Sequence, residues 1–203
     1  MSLRPPISVC ILVFDGVEAL DFAGPYEVFT TASRVHGRLH PDADALFEVA
    51  CVSREGQPIQ ARAGLRVLPE HSFSDSPPCD LLVVPGGVVD DAMTCPQTLD
   101  WIGRTAARAQ ITASVCTGAF LLAASGAVCT GSVTTHWEDI ADLRARFPTL
   151  TVCDGPRWID NGHVLTSAGI SAGMDMCLHL VERLAGKILA HRTARQMDYR
   201  WIE

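Results

Sequence analysis

An apolar strand that runs directly into a cysteine is the feature that most constrains this chain. Residues 111–115 are rich in β-branched side chains and predict a buried strand. Cys116 follows at once, then Thr117 and Gly118, and then an apolar helical pattern over residues 119–124. A strand, a tight turn and a helix that begins with small residues are the layout of a nucleophile elbow, which lifts a reactive side chain above the sheet.

Two interpretations of Cys116 follow from this local sequence. In the first, the thiol lies at the positive end of the following helix, where the thiolate is favoured and the pKa is expected to fall. In the second, Cys116 is a buried residue at the end of a strand, since free cysteine is among the residue types most often buried. The local sequence favours the two equally, so other segments have to decide.

Composition restricts the class of protein further. The 203 residues are 48% hydrophobic and 19% charged, which is typical of one soluble globular domain over residues 1–203. The net charge of −7 gives no basic footprint, so we expect no nucleic-acid partner. No apolar run is long enough to cross a bilayer and no signal peptide is visible, so we expect a cytoplasmic protein without a membrane partner. The sequence leaves open whether residues 1–3 are native.

The eight cysteines are spread along the chain, and several lie inside apolar segments. They show no Cys-x-x-Cys or paired Cys/His spacing, so the sequence predicts no metal site, and nothing else in it indicates a cofactor. Because no export signal accompanies them, a disulfide framework is not expected. The seven cysteines other than Cys116 are interpreted as core residues or incidental thiols.

Strands and helices alternate along the sequence. Near-continuous apolar runs over residues 7–14, 46–53 and 80–84 predict buried strands, and helices are predicted over residues 96–108 and 171–185. Strands that are apolar along their whole length are typical of a parallel sheet covered on both faces. The alternation therefore predicts a doubly wound α/β fold.

The segment after the first strand carries an unusual acid. Asp21 lies among apolar residues just beyond the carboxyl end of that strand. Pro25 suits the first turn of a helix, so we expect a short helical piece before it and a longer one that ends near Ser33. Residues 34–45 are polar and are predicted to be an exposed loop.

A pair of glycines also follows a strand. Gly86 and Gly87 come directly after residues 80–84, and such a pair favours either close backbone approach to a ligand or loop, or a plain tight turn. In doubly wound sheets, ligands bind beyond the carboxyl ends of the strands. Asp21, the glycine pair and Cys116 would all lie at that edge, which favours the nucleophile interpretation of Cys116.

The sequence Thr135-His136-Trp137-Glu138 has the pattern of a capping box. Thr135 is predicted to cap a helix that ends near Arg146, with Glu138 reaching back to the cap. His136 would then occupy the first helical position, where the helix dipole favours a neutral ring. It is a candidate catalytic residue, and a capping or packing role is its simpler interpretation.

Five segments resemble the ThiJ/PfpI superfamily and occur in the same order as in that family. They are residues 14–25, 82–87, 114–118, 134–137 and 166–175. The resemblance covers almost the whole chain and implies a flavodoxin-like, mostly parallel sheet related to class I glutamine amidotransferases. It also implies a homodimer, because members of this superfamily usually dimerise with the site near the interface.

Two branches of the superfamily fit this sequence. Isonitrile hydratases share the Cys-Thr-Gly elbow, the acid of a Leu-Asp-x-x-Gly-Pro motif and the Thr-Thr-His-Trp segment. The amidase-like domain that precedes the DNA-binding domain of AraC-type regulators shares them too, but here only a short tail follows the last predicted helix. PfpI-type proteases place a histidine directly after the cysteine; Thr117 occupies that position, so a protease that uses this dyad is not expected.

The residues and the resemblance together indicate a cysteine-dependent enzyme, a hydratase or hydrolase, that acts on a small electrophile. A carboxyl beside a thiol shares one proton with it. If Cys116, the nucleophile, holds the negative charge, Asp21 is the protonated member, which stabilises the thiolate and acts as the acid and, once ionised, as the base. Backbone N–H groups of Gly86, Gly87 and Thr117 are candidates to stabilise developing negative charge. The Thr117 hydroxyl would either position water or substrate, or simply bond the turn.

The alternative hypothesis is not enzymatic. A ligand-binding or redox-sensing domain would use the same cysteine, which would be oxidised to sulfenic or sulfinic acid. Both hypotheses imply a small-molecule partner. Turnover separates them, because a sensor would be modified stoichiometrically.

Overall fold

A computed structural model of the chain describes residues 5–203. Residues 1–3, whose native origin the sequence leaves open, lie outside the described residues. Its strands are β1 (Ile7–Leu12), β2 (Phe47–Ser53), β3 (Ile59–Gln60), β4 (Arg66–Val67), β5 (His71–Ser72), β6 (Leu81–Val84), β7 (Ile111–Val115), β8 (Gly131–Val133), β9 (Leu150–Val152), β10 (Trp158–Asp160) and β11 (Val164–Ser167). Its helices are α1 (Ala19–Leu39), α2 (Asp90–Thr94), α3 (Pro96–Ala106), α4 (Gly118–Ala124), α5 (Ile140–Arg146), α6 (Ala172–Ala185) and α7 (Lys187–Gln196), and a 3₁₀ turn spans Trp137–Asp139. Among these described helices, none has the length and apolar character that crossing a membrane requires.

One seven-stranded sheet forms the centre of the fold. Its strand order is β10-β11-β7-β6-β1-β2-β5. Every neighbouring pair is parallel except β10 with β11. This confirms the predicted flavodoxin-like, doubly wound and mostly parallel α/β fold. Two short pairs, β3 with β4 and β8 with β9, lie outside the sheet.

Strand β1 shows how the sheet builds a core on each face. Val9 and Ile11 face the side that α1, α6 and α7 cover, whereas Cys10 and Leu12 face the side that α2, α3, α4 and α5 cover. All four side chains are fully buried. Successive residues of a strand point to opposite faces, so a strand covered on both sides has to be apolar throughout.

Helix α1 is longer than the sequence predicts. It runs from Ala19 to Leu39 with Pro25 inside it, so the loop predicted over residues 34–45 is wrong in its first part. Pro25 removes one helical hydrogen bond and crowds the turn before it. The helix nevertheless continues because its far end packs on α7: Val35 is buried in the same core cluster as Ala194, and Arg38 Nη1 donates to Gln196 Oε1 at 2.8 Å. Tertiary contact overrides the local polar composition.

The carboxyl ends of β7, β6 and β1 lie side by side in the middle of the sheet. From β1 the chain continues into β2 on one side, while β6 and β7 add on the other side. Such a reversal of strand order opens a crevice at the carboxyl edge, where doubly wound folds bind ligands. Helix α1, the Gly86-Gly87 turn and Cys116 each begin at this edge.

Gly118 brings the start of α4 close to the end of β6. A Cβ at this position would strike Val84 O and would lie 3.0 Å from Pro85 C. Gly37, inside α1, is the opposite case, because nothing lies within 4 Å of the place where its Cβ would be. The two glycines form a matched pair for testing the close approach.

We expect Gly118→Ala to lower the free energy of unfolding by about 1–3 kcal/mol, because the backbone of β6 has to move to admit the methyl group. Gly37→Ala should raise it by about 0.5–1 kcal/mol, since alanine in an open helix interior costs less chain entropy. Urea unfolding of both variants measures the difference. A Gly118→Ala protein as stable as the wild type would contradict the close packing of α4 on β6.

Candidate active site

Cys116 adopts a left-handed backbone conformation at the end of β7. Its φ is 56°, which is uncommon for a residue with a Cβ. Because β7 ends at Val115 and α4 begins at Gly118, Cys116 and Thr117 alone make the turn. The Cys116 side chain is 6% exposed. The predicted strand, tight turn and helix are confirmed, and the turn carries the backbone strain that such elbows have.

Two hydrogen bonds hold the strained backbone of Cys116. Its N–H donates to Ser167 O of β11 at 3.2 Å. Its carbonyl accepts a hydrogen bond from Thr135 Oγ1 at 2.9 Å, in a buried position. A buried peptide group without partners would be costly, so these two contacts allow the turn to persist.

The capping box predicted at Thr135 is therefore wrong. Its hydroxyl is committed to the Cys116 carbonyl, and His136 takes the cap position instead: His136 Nδ1 accepts a hydrogen bond from Glu138 N at 3.4 Å. The residues that follow form the 3₁₀ turn before α5 begins at Ile140. The buried Cys116 carbonyl needs a hydrogen-bond donor, and it takes the Thr135 hydroxyl that the capping box would have used.

Asp21 lies in the first turn of α1 and is fully buried. Its Oδ2 accepts a hydrogen bond from Gly86 N at 3.1 Å. Its Oδ1 has no partner of good hydrogen-bond geometry among residues 5–203, and the neighbouring Cys116 thiol can complete that shell by rotating its hydrogen. The structure therefore brings together the acid and the thiol that the sequence singled out.

Both members of this pair hold their protons more tightly than usual. Burial raises the pKa of Asp21 to about 7, which the hydrogen bonds of Gly86 and Cys116 only partly offset. Burial raises the pKa of Cys116 to about 12, and the negative charge of Asp21 raises it further, while hydrogen bonding by Thr117 lowers it. The expected lowering of the Cys116 pKa by the helix start is therefore wrong, because loss of water outweighs it.

The carboxyl of Asp21 has the lower pKa of the two, so the pair loses the Asp21 proton first. The resting pair is therefore a carboxylate beside a protonated thiol, and the expected thiolate beside a protonated acid is wrong. Two interacting groups titrate as a unit, and the proton is available to either of them. The site thus holds a nucleophile together with the base that can activate it.

The Gly86-Gly87 turn is tied to both halves of the site. Gly86 N–H donates to Asp21, and Gly87 N–H donates to Thr117 Oγ1 at 2.9 Å. The Thr117 hydroxyl in turn donates to Gly87 O at 2.9 Å. In this resting arrangement both glycine N–H groups are bound within the protein, so donation to a substrate requires the turn to rearrange. Gly87 has a φ of 124°, which only glycine adopts readily.

His136 and the Cys116 thiol both lie close to Gly169. A Cβ at Gly169 would be 3.1 Å from Cys116 Sγ and 3.1 Å from His136 Cγ. The histidine Nδ1 is 3.5 Å from Asp139 Oδ2 and 3.6 Å from Glu138 Oε2. The ring therefore forms a wall of the site, with the carbon edge toward Gly169 and Nδ1 toward two acids.

Sequence reasoning missed Gly169 and the role of Thr135. Gly169 lies in the 166–175 segment that carries part of the family resemblance, and its lack of a side chain is what lets His136 approach Cys116. No periodicity or turn signal distinguishes it from other glycines. The hydrogen bond from Thr135 to Cys116 was not predicted because Thr135 stands at the start of a capping-box pattern, which predicts a bond within its own helix.

Three exposed apolar residues are chain neighbours of site residues: Leu20, Val88 and Trp137 are 40%, 49% and 72% exposed, respectively. Within residues 5–203, no three His, Cys, Asp or Glu side chains are grouped so that they could hold a metal ion.

The chain matches the DJ-1/PfpI family over residues 7–183. It belongs to this family. It is 34% identical over 194 residues to an isonitrile hydratase of Pseudomonas putida, an alignment that covers 95% of this chain and 78% of that protein. It is also 27% identical over 199 residues to the HTH-type transcriptional regulator GbdR of Pseudomonas aeruginosa. That alignment covers 98% of this chain and 52% of the regulator, so the chain spans about half of its length.

Solved structures of the DJ-1/PfpI type have the same fold. A ThiJ/PfpI family protein from Pseudomonas syringae superposes with a TM-score of 0.84 at 25% identity, over 98% of this chain and 78% of that one. An AraC family transcriptional regulator from Pseudomonas putida superposes with a TM-score of 0.79 at 24% identity, over 95% and 100%. The likeness to the AraC family regulator is one of fold alone.

The raised pKa of Asp21 makes the stability of this DJ-1/PfpI protein depend on pH. The pKa rises from 3.8 to about 7 on folding, so this proton favours the folded state at low pH and that contribution is lost as pH rises through 7. Asp21→Asn is neutral throughout, so relative to the wild type it should gain roughly 2 kcal/mol of stability between pH 5 and pH 8. Urea unfolding at the two pH values measures the gain.

The control is Asp44→Asn, which changes an exposed acid and should show no such pH-dependent difference. A difference between Asp21→Asn and the wild type that stays constant from pH 5 to pH 8 would show that the pKa of Asp21 is not raised.

Proposed function

We propose that this chain is a cysteine-dependent hydratase that adds water to a small electrophile of the isonitrile class. The observation that carries the proposal is the pairing of Cys116, on a strained elbow, with the buried carboxyl of Asp21. The 34% identity to an isonitrile hydratase supports it. An isonitrile carbon accepts both a nucleophile and a proton, so its hydration needs a thiol and an acid–base group at one place.

In the first step, the Asp21 carboxylate takes the thiol proton as Cys116 Sγ bonds to the isonitrile carbon. Asp21 then delivers that proton to the same carbon. The S–H bond is broken, S–C and C–H bonds are formed, and the carbon–nitrogen triple bond becomes double. The product is a thioimidate on Cys116, and Asp21 is again ionised.

In the second step, water adds to the thioimidate. Asp21 takes a proton from water as the oxygen bonds to carbon, and passes it to the nitrogen. The C–S bond of the tetrahedral intermediate then breaks, the hydroxyl proton returns through Asp21 to the sulfur of Cys116, and an N-substituted formamide leaves. A carboxyl with a pKa of about 7 suits this alternation between base and acid.

Neighbouring groups would assist these steps. We assign Thr117 to positioning the attacking water, which its hydroxyl can do after releasing Gly87 O. The N–H groups of Gly86 and Gly87 would stabilise negative charge once the turn rearranges. His136, which like the thiol lies close to Gly169, would hold the substrate or take part in proton transfer. The same thiol and carboxyl would also serve a hydrolase acting on a small substrate.

Conversion of an aryl isonitrile to its formamide, followed by absorbance, tests this function. Cys116→Ala should abolish turnover, because the thioimidate forms on the sulfur of Cys116. Asp21→Asn keeps the shape but removes the base and acid, so it should lower kcat by roughly 10²-fold or more. Asp21→Glu should retain part of the activity. Cys129→Ser, which changes an exposed thiol, should match the wild type. Wild-type protein without turnover, or an active Cys116→Ala variant, would overturn the hydratase proposal.

A second candidate is a ligand- or redox-sensing domain. The likeness to GbdR, at 27% identity over 98% of this chain, favours it specifically. In that case Cys116 would bind or be oxidised once per chain, with no turnover. One equivalent of modification at Cys116, in a protein that converts no isonitrile, would support this alternative.

We further propose that the chain forms a homodimer in the cytoplasm. Resemblance to its family supports dimerisation, and exposed apolar residues such as Leu20 and Trp137 offer surface to bury. Light scattering at micromolar concentration should return about twice the 21.9 kDa mass of one chain. A mass near 21.9 kDa would remove the proposal.

A further inference from the structure

A cavity opens beyond the carboxyl ends of β1 and β2 and shares no residue with the Cys116 site. Its volume is about 440 Å³, within the range of small-molecule sites. Phe14, Ile59 and Phe73 contribute apolar walls. The loop after β2 contributes Arg54 and the start of α3 contributes Cys95, so a thiol and a guanidinium both line it.

Cys95 occupies a position that favours its thiolate. It is the N-cap residue of α3, a helix of 11 residues, and its Sγ lies 3.5 Å from Arg54 Nη1. Partial burial raises the pKa of Cys95, but hydrogen bonding by Thr98, Arg54 and Gln97 outweighs it and lowers the pKa to about 7. In its protonated state the thiol donates to Gln97 Oε1 at 3.6 Å. A thiol that lines a cavity beside a guanidinium, with a pKa near the ambient pH, is well suited to attack a disulfide bound there.

The charges that line the cavity favour a positively charged ligand. Asp15, Glu55 and Asp91 supply three carboxylates, against the single guanidinium of Arg54 among the lining residues. Arg54 is already engaged, since its Nη2 is 3.1 Å from Glu55 Oε1. An ammonium group in the cavity would face surplus negative charge, whereas a carboxylate would be repelled.

We propose that Cys95 is a second reactive thiol, which exchanges with small cationic disulfides bound in this cavity. The Cys95 thiolate attacks one sulfur of the ligand, the ligand S–S bond breaks, and a new S–S bond joins Cys95 to one half. The other half leaves as a thiolate and takes a proton from water. The disulfide is reduced and Cys95 is oxidised. This site is independent of the proposed hydratase chemistry and does not require Cys116.

The test compares three disulfides of different charge with the native protein. Cystamine is cationic, bis(2-hydroxyethyl) disulfide is neutral and oxidised glutathione is anionic. Adduct formation at pH 7 is followed by intact mass and located by peptide mass spectrometry, and each rate is divided by that of a small reference thiol. We expect the adduct on Cys95, with a normalised rate about tenfold higher for cystamine than for oxidised glutathione.

Variants distinguish the contribution of the charges in the cavity from that of the Cys95 thiol. Cys95→Ser should remove the adduct, and Cys153→Ser, which changes another partly exposed cysteine, should leave it intact. Asp91→Asn should reduce the preference for cystamine two- to threefold without changing the rate with the neutral disulfide. Arg54→Gln should slow all three reactions several-fold, because the thiol loses its cationic neighbour.

Three outcomes would overturn the proposal: an adduct on another cysteine, equal normalised rates for cystamine and oxidised glutathione, or an unchanged cystamine preference in Asp91→Asn. Cys116→Ser should form the Cys95 adduct at the wild-type rate. That result would stand even if the protein converts no isonitrile, so failure of the hydratase proposal and failure of this one are distinguishable.

Discussion

Cys116 is held at a φ of 56° by hydrogen bonds at both of its peptide groups, and the rest of the site is arranged around that conformation. Such a conformation costs about 1–3 kcal/mol, so it persists only where the surroundings impose it. Ser167 at the end of β11 accepts from its N–H, and Thr135 donates to its carbonyl at 2.9 Å. Gly118 then lets α4 start directly against β6. The elbow thus joins β7, β11, the segment before α5 and the start of α4, and it places the sulfur beside Asp21.

In two cysteines of this chain, burial raises the pKa of the thiol while hydrogen-bond donors lower it, and the two effects balance in opposite directions. At Cys116 the helix start and the Thr117 N–H favour the thiolate, but burial and the Asp21 charge raise its pKa to about 12. At Cys95 the helix start acts together with Arg54 on a partly exposed sulfur, and the pKa falls to about 7. A helix N-terminus therefore does not decide the state of a thiol by itself. The exposure of the sulfur, its hydrogen-bond donors (Thr98 first and then Arg54 at Cys95) and the sign of the nearest side-chain charge decide it together.

The sequence predicts those features that depend on neighbouring residues and misses those that depend on distant ones. The apolar strands, the elbow and the convergence of Asp21 with Cys116 at one sheet edge follow from local pattern and the rules of doubly wound folds. The length of α1 does not, because its last turns are held by α7. The partner of Thr135 is 19 residues away, and Arg54 is 41 residues from Cys95. The pKa of Cys116 is set by burial, which is a property of the completed core.

For the proposed hydration, the number of protons that the Cys116–Asp21 pair holds at rest equals the number that the first step needs. An isonitrile brings no acidic hydrogen, so the proton that ends on its carbon has to come from the protein. A pair that had already lost both protons would lack this proton, and a pair with both protons would lack the base that activates sulfur. Because the pKa of Asp21 lies below that of Cys116, the resting pair holds one proton and one negative charge. The first step passes that proton to the isonitrile carbon and leaves the carboxylate ionised, and the second step returns a proton to the sulfur. Burial, which at first sight suppresses the nucleophile, thereby keeps the needed proton in place until a substrate arrives.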